Sequence, residues 1–193
     1  MTTATATSVL DRFIAGAVAR AREQPGPADC VLAIAPLMLD LLEGASTFLQ
    51  PQHFRTDPIH YARNLVYAAP DKSLSLYALV WLPGQWTPIH DHGSWGVVGV
   101  LEGVLEERSY VRLSPDREAD HDIELARGGV MLLGKGAVTS FVPNPDHIHV
   151  TGVPADRSRA VSLHLYGRMM SNFNIYDPAT RSRRRIEVAH NES

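Results

Sequence analysis

From Tyr61 to Gly167 the chain is cut into eight short apolar runs, at 61–68, 73–82, 95–101, 104–112, 129–133, 138–142, 148–152 and 160–167. The joints between them are turn residues: APDK, LPGQ, LSPD, GKG and VPNPD. Runs of this length, rich in Val, Leu, Tyr and Trp and bounded by Gly, Pro, Asn and Asp, read as strands. A chain punctuated this often folds its strands onto one another, and the count matches an eight-stranded double-sheet jelly roll. The expected fold is therefore mainly β, a jelly-roll barrel over residues 56–180.

Ahead of the barrel the texture is helical. Val9, Leu10, Phe13, Ile14 and Val18 recur at helical spacing from Thr7 to about Glu23, with Thr7 or Ser8 as the cap, and QPGP at 24–27 ends the run. A second helical stretch, rich in Leu, Ala and Met, is expected from about Ala28 to Leu49. Residues 1–55 thus form an N-terminal helical region packed on the barrel. Residues 181–193, which open with the basic cluster RSRRR, read as a polar C-terminal tail.

With 193 residues, 45% hydrophobic and 20% charged, the chain has the makeup of one ordinary globular domain. A net charge of −3 gives no basic surface for nucleic acid or an anionic membrane, and a single basic cluster does not change that. Cys30 stands alone, so no internal disulfide supports the fold, which fits a reducing cytoplasm. The N-terminal stretch lacks a basic leader and is interrupted by Asp11 and Arg12, a poor secretory signal. No apolar run approaches the ~20 residues of a membrane span. The oligomeric state is not legible.

The chemistry concentrates in Pro88-Ile89-His90-Asp91-His92-Gly93. Successive side chains of a strand alternate between faces, so His90 and His92 project together and Asp91 projects away. Two neutral imidazoles on one strand need only one or two further groups to close a metal site, although two exposed histidines beside a turn would show the same spacing. The surroundings favour the site. Gly84 to Gly103 spell G-x5-H-x-H-x3-G-x6-G, which resembles the first motif of the cupins. That resemblance implies a cupin double-stranded β-helix. Cupins usually carry a Glu ligand where this chain has Gly96, so a three-histidine site is expected. By the residues alone, the third ligand is open among His147, His149 and His164; His121 sits in an acidic loop and His190 in the tail.

Ser162-Leu163-His164-Leu165-Tyr166 resembles the thiol dioxygenases, the family of cysteine dioxygenase and 3-mercaptopropionate dioxygenase. In that family an alternating Ser-His-Tyr set shares one strand, and the third iron ligand lies fifteen residues before its His. The resemblance therefore implies His149, with His90 and His92 matching the family's first two ligands. Tyr61-Ala62-Arg63-Asn64-Leu65 is similar to the segment that supplies the carboxylate-binding arginine. Gly96 stands where the mammalian-type enzyme has a cysteine cross-linked to the tyrosine and where bacterial members have glycine, which implies an unmodified Tyr166. Gly167-Arg168, in place of a Ser-Pro-Pro turn, is more similar to the 3-mercaptopropionate side, while Arg63 is more similar to the cysteine side.

What the resemblance implies is Fe(II) held by His90, His92 and His149, with a small carboxylate-bearing thiol and dioxygen as substrates. Catalysis would fall to Tyr166, His164 and Ser162, and substrate contacts to Arg63 and Tyr61, with Trp95 as a pocket wall and Arg168 as a second anion candidate. Trp81 and Trp86 read as core or rim. The rival readings are another metal cupin, acting on a carbon substrate or as an isomerase, and a non-enzymatic metal- or ligand-binding cupin.

Overall fold

A computed structural model describes residues 7–143 and 147–192. Residues 1–6, part of the stretch read as a poor leader, and 144–146 of the VPNPD turn lie outside the described residues. Helix α1 spans Val9–Glu23 and α2 spans Pro27–Glu43. Ser8 caps α1 in a capping box: its hydroxyl accepts from the Asp11 amide at 3.0 Å while the Asp11 carboxylate takes the Ser8 amide at 3.3 Å. Pro27 starts α2, where its missing N–H costs nothing. The expected second helix is shorter than its apolar run, giving way at Gly44 to two 3₁₀ turns, Ala45–Thr47 and Pro51–Phe54.

Eleven strands follow: β1 Ala62–Ala68, β2 Ser75–Trp81, β3 Ile89–His90, β4 Gly96–Glu102, β5 Val104–Arg112, β6 Leu125–Gly134, β7 Val138–Phe141, β8 Ile148–Gly152, β9 Ala160–Tyr166, β10 Asn172–Asp177 and β11 Ser182–Glu187. They form two antiparallel sheets, ordered β1-β2-β9-β4-β7 and β11-β10-β3-β8-β5-β6. This is the expected cupin double-stranded β-helix with N-terminal helices.

The five-stranded sheet is buried on both faces, which is why β2 and β9 read as near-continuous apolar runs. Leu76, Ala78, Leu163 and Leu165 pack with Ile34, Met38 and Leu41 of α2. Each fully buried Leu, Ile or Met side chain contributes about 1.5–3 kcal/mol. Gly99 permits the close approach of α2, since a Cβ there would lie 2.9 Å from the Met38 Cγ and 3.0 Å from a Leu42 methyl. The opposite face of the same strands carries Tyr77, Leu79, Trp81 and Tyr166 into the barrel.

The C-terminal residues correct the sequence reading. RSRRR is not a tail: residues 182–187 are β11, paired along its whole length with β10. Its charges are answered locally, with Arg183 donating to Asp120 and to the Arg117 and Glu118 carbonyls, and Arg185 to Asn172. No helix among the described residues is long and apolar enough to cross a membrane.

Candidate metal centre

His90 closes β3, and His92, two residues on, still projects to the same side. Strand β8 is the neighbour of β3, and His149 is the register partner of His90. The three rings therefore meet, with centroids 4.6 Å (His90–His92), 4.6 Å (His90–His149) and 5.0 Å (His92–His149) apart, and all three residues are buried.

Hydrogen bonds at two of the rings, His90 and His149, fix which of their nitrogens are bare. The His90 Nδ1 stands 3.0 Å from the Pro88 carbonyl, and the His149 Nδ1 stands 3.1 Å from the Glu107 carboxylate. Both partners only accept, so each neutral ring carries its proton on Nδ1 and presents a lone pair at Nε2. The Nε2 of His149 is buried without a partner. Those of His90 and His92 lie 3.2 Å apart, the spacing of two ligands each about 2.1 Å from a shared ion. Burial first, then the neighbouring rings, push His90 and His92 well below the ordinary histidine range. Burial likewise lowers His149, against the raising effect of Glu107. Converging neutral imidazoles fit a divalent transition metal, and an all-nitrogen set suits iron, zinc, copper or nickel.

The other two histidines left open by the sequence are engaged elsewhere. His147 stacks on Phe141 (4.9 Å, 5°) and sets its Nε2 3.4 Å from Glu107, while His164 uses both ring nitrogens in the relay described below. No carboxylate takes the place of Gly96. Gly96 is the register partner of both Tyr166 and Phe141, and a Cβ on it would fall 2.3 Å from the Phe141 ring. A glutamate or cysteine would collide there, and the lone cysteine, Cys30, is buried in α2 away from Tyr166.

Sequence reasoning missed Glu107. It follows Leu105 by two on β5, so strand alternation from that buried leucine would have placed it inside the barrel. Its carboxylate oxygens face His147 and His149 separately. Burial works to raise this carboxyl, but the hydrogen bonds of His147 and His149 prevail and hold it far below the usual carboxylate range. A carboxylate on the far nitrogen of a ligating imidazole fixes its tautomer and orientation. Glu107→Gln is expected to weaken metal affinity about 10- to 100-fold, measured by chelator competition. Unchanged affinity would show that Glu107 does not orient His149.

The same cavity is lined by Tyr61, Arg63, Trp81 and Tyr166, around free space of only ≈ 30 Å³. Arg63 is buried; one terminal nitrogen donates to the Met170 carbonyl at 2.6 Å, and its guanidinium lies 4.8 Å from the centre of the Tyr77 ring. The other terminal nitrogen is buried with no hydrogen-bond partner. An unpaired guanidinium nitrogen in a closed space is costly unless an anion takes it. Tyr61 stacks on Trp81 with centroids 4.5 Å apart.

Ser162, His164 and Tyr166 share the inner face of β9, as alternation predicts. The Ser162 hydroxyl is 2.8 Å from the His164 Nε2, and the His164 Nδ1 is 3.2 Å from the Tyr166 hydroxyl. Trp81, read from sequence as core or rim, starts this chain by donating its indole N–H to the Ser162 Oγ at 3.0 Å.

Two sequence candidates are not in this cavity. Trp95 packs on the helix side of the sheet, against Gly167, where a Cβ would lie 2.2 Å from its ring. Arg168 donates to the His92 carbonyl at 2.9 Å and to Asn172, so it braces the loop behind His92. Asp91 projects away from the centre as expected, but it is buried, accepting from the Tyr176 hydroxyl at 2.7 Å and the Asn174 amide at 3.1 Å. It ties the metal loop to β10.

Comparison with solved structures finds cupin-like and double-stranded β-helix proteins. A protein of Thermus thermophilus is 18% identical over 64% of this chain and 93% of that chain, with a TM-score of 0.44. An uncharacterised conserved protein with a double-stranded β-helix domain from Klebsiella pneumoniae is 14% identical over 70% and 92%, at 0.44. A Cupin 2 conserved barrel domain protein from Salinispora arenicola is 17% identical over 61% and 83%, at 0.41. The family model described as cysteine dioxygenase type I matches residues 45–179, a stretch that takes in Arg63, every histidine of the centre and the Ser162-His164-Tyr166 strand. Matched over well more than half its length by that model, this chain belongs to the cysteine dioxygenase type I family.

Proposed function

We propose that the protein is a non-haem Fe(II) thiol dioxygenase that adds both atoms of dioxygen to a small carboxylate-bearing thiol, RSH + O₂ → RSO₂H. Family membership supports an oxidoreductase of the dioxygenase type. The observation that carries the substrate class is the buried, unpartnered nitrogen of Arg63 in the cavity of the three histidines.

His90, His92 and His149 would hold the iron, which when bound makes the thiol a thiolate and activates dioxygen beside it. The chain's own groups do the rest. Arg63 takes the carboxylate by a charge-assisted bond and so sets the thiol end toward the histidines, removing orientational freedom before reaction. The small cavity disfavours bulk water and large thiols.

The relay has a direction. Trp81 can only donate, so Ser162 accepts from it, and the serine proton goes to its other close partner, the His164 Nε2. Burial first, then the charge of nearby groups, pushes His164 down to about 3, so the ring is neutral and its one proton sits on Nδ1, donated to the Tyr166 oxygen. The Tyr166 proton is then left to point into the cavity. Burial raises Tyr166 above the ordinary tyrosine range, which keeps it a proton donor toward substrate or dioxygen oxygen.

Cysteine, 3-mercaptopropionate and mercaptosuccinate all carry the required carboxylate and differ by an amine or a further carboxylate. Among the described residues Glu107 is the one acid lining the inner cavity, and both its oxygens face histidines, so within that cavity the amine of cysteine meets no carboxylate without a partner. A thiol without an amine, such as 3-mercaptopropionate, is therefore expected to match or exceed cysteine in kcat/KM. Arg63→Ala should lower kcat/KM about 10- to 100-fold for all three, as loss of a hydrogen bond to a charged group implies. Steady-state kinetics on the three thiols tests both points: strong preference for cysteine overturns the amine-free reading, and undiminished efficiency in Arg63→Ala removes Arg63 from the site.

A further inference from the structure

The last described residues lie beyond the stretch matched by the family model and run alongside β1. After β11, the Val188 amide bonds the Ser171 carbonyl at 2.8 Å. Asn191 then docks in parallel on the free edge of β1: its N–H donates to the Arg63 carbonyl at 2.7 Å, its carbonyl accepts from the Leu65 amide at 2.9 Å, and its side chain donates to Asn64 at 2.8 Å. Backbone bonds on both sides of Asn64 hold this strap against the residue that carries the guanidinium.

Between those two anchors sits His190, with its ring edge-on to Tyr77, 5.6 Å between centroids. Tyr77 is the same ring on which the Arg63 guanidinium rests. The His190 Nδ1 is buried and has no hydrogen-bond partner, as is true of the free terminal nitrogen of Arg63. Burial and then the charge of Arg63 lower His190, so it is neutral. Neither residue forms an ion pair among the described residues. Both line an outer groove of ≈ 470 Å³, and Tyr61, Arg63 and Phe173 are common to that groove and the inner cavity, which makes them the neck between the two.

We propose that His190 is the second half of a carboxylate clamp at this neck, Arg63 taking one carboxylate oxygen and the His190 Nδ1–H the other. This rests on the reading of Arg63 as the carboxylate residue. It makes the strap a specificity element: a thiol with a carboxylate is gripped from β1 and from the C-terminal segment together, and a thiol without one gains nothing from His190.

The test compares wild type, His190→Ala, His190→Asn and Arg63→Ala as purified iron-loaded proteins. Binding of 3-mercaptopropionate and of cysteamine, a thiol without a carboxylate, is titrated without oxygen, and turnover is followed separately with oxygen. His190→Ala should weaken 3-mercaptopropionate binding about tenfold, and raise its KM by the same factor with kcat within about twofold, as loss of one hydrogen bond implies. Cysteamine binding should not change, and His190→Asn, which keeps an N–H donor, should recover most of the loss. Equal affinity for 3-mercaptopropionate in wild type and His190→Ala overturns the clamp, as does an equal loss for both thiols, which would mark a structural role. Should wild type bind 3-mercaptopropionate with the predicted His190 dependence but consume no oxygen with it, the clamp stands and the dioxygenase reading fails. Should Arg63→Ala leave binding intact, the carboxylate reading of Arg63 fails and the clamp with it.

Discussion

His149→Ala, like His90→Ala and His92→Ala, is expected to abolish iron binding and all turnover, whereas His147→Ala keeps the metal. Each of the three would supply one Nε2 to a buried centre, and two imidazoles would leave an ion too few protein donors for a stable open site. His147 lies beside the centre without belonging to it: its Nε2 faces Glu107, and its ring is stacked on Phe141. Its loss removes one hydrogen bond from Glu107 and leaves the bond that orients His149. Iron content of purified variants after anaerobic loading measures this directly. Loss of iron in His147→Ala with retention in His90→Ala and His92→Ala would move the site to the alternative set of Glu107, His147 and His149.

Tyr166→Phe should retain iron and fold but lose about 10²-fold or more in kcat, with a much smaller change in KM. The phenol is the end of the chain that runs from Trp81 through Ser162 and His164, and phenylalanine fills nearly the same volume while removing the one proton this chain presents to the cavity. Ser162→Ala should give part of the same loss. Without the serine proton at Nε2, the neutral His164 is free to place its own proton there and to accept from Tyr166, which turns the phenol away from the cavity. Parallel measurement of kcat, KM and iron content decides it: an unchanged kcat in Tyr166→Phe takes the phenol out of the reaction, and a loss of iron would mark a structural role.

Much of this site was legible because strand alternation is local. The inward set Ser162, His164 and Tyr166 and the outward pair Leu163 and Leu165 follow from period-two spacing alone, and the structure divides them in that way between barrel interior and helix-facing layer. His90 and His92 also share a side, as that spacing suggested, although β3 itself ends at His90. Strands β10 and β11 escaped notice because polar and charged residues, Asn172 and Asn174 in one and Arg183 to Arg185 in the other, hide the apolar alternation of Phe173, Ile175 and Ile186. Strand β3 is too short to show a period at all.

Side-chain periodicity along each strand is set by neighbouring residues, so faces, turns and the helix cap were readable in the chain itself. Which strands become neighbours is settled by long-range pairing of the two sheets, for which no local signal exists. That pairing brought Glu107 of β5 to His149 of β8, set Trp81 of β2 against Ser162 of β9, and turned Trp95 and Arg168 away from the cavity that their positions near the motifs suggested. It also carried His190 from an apparent tail to the side of Arg63, because the free edge of β1 offers backbone partners that only a folded sheet can present.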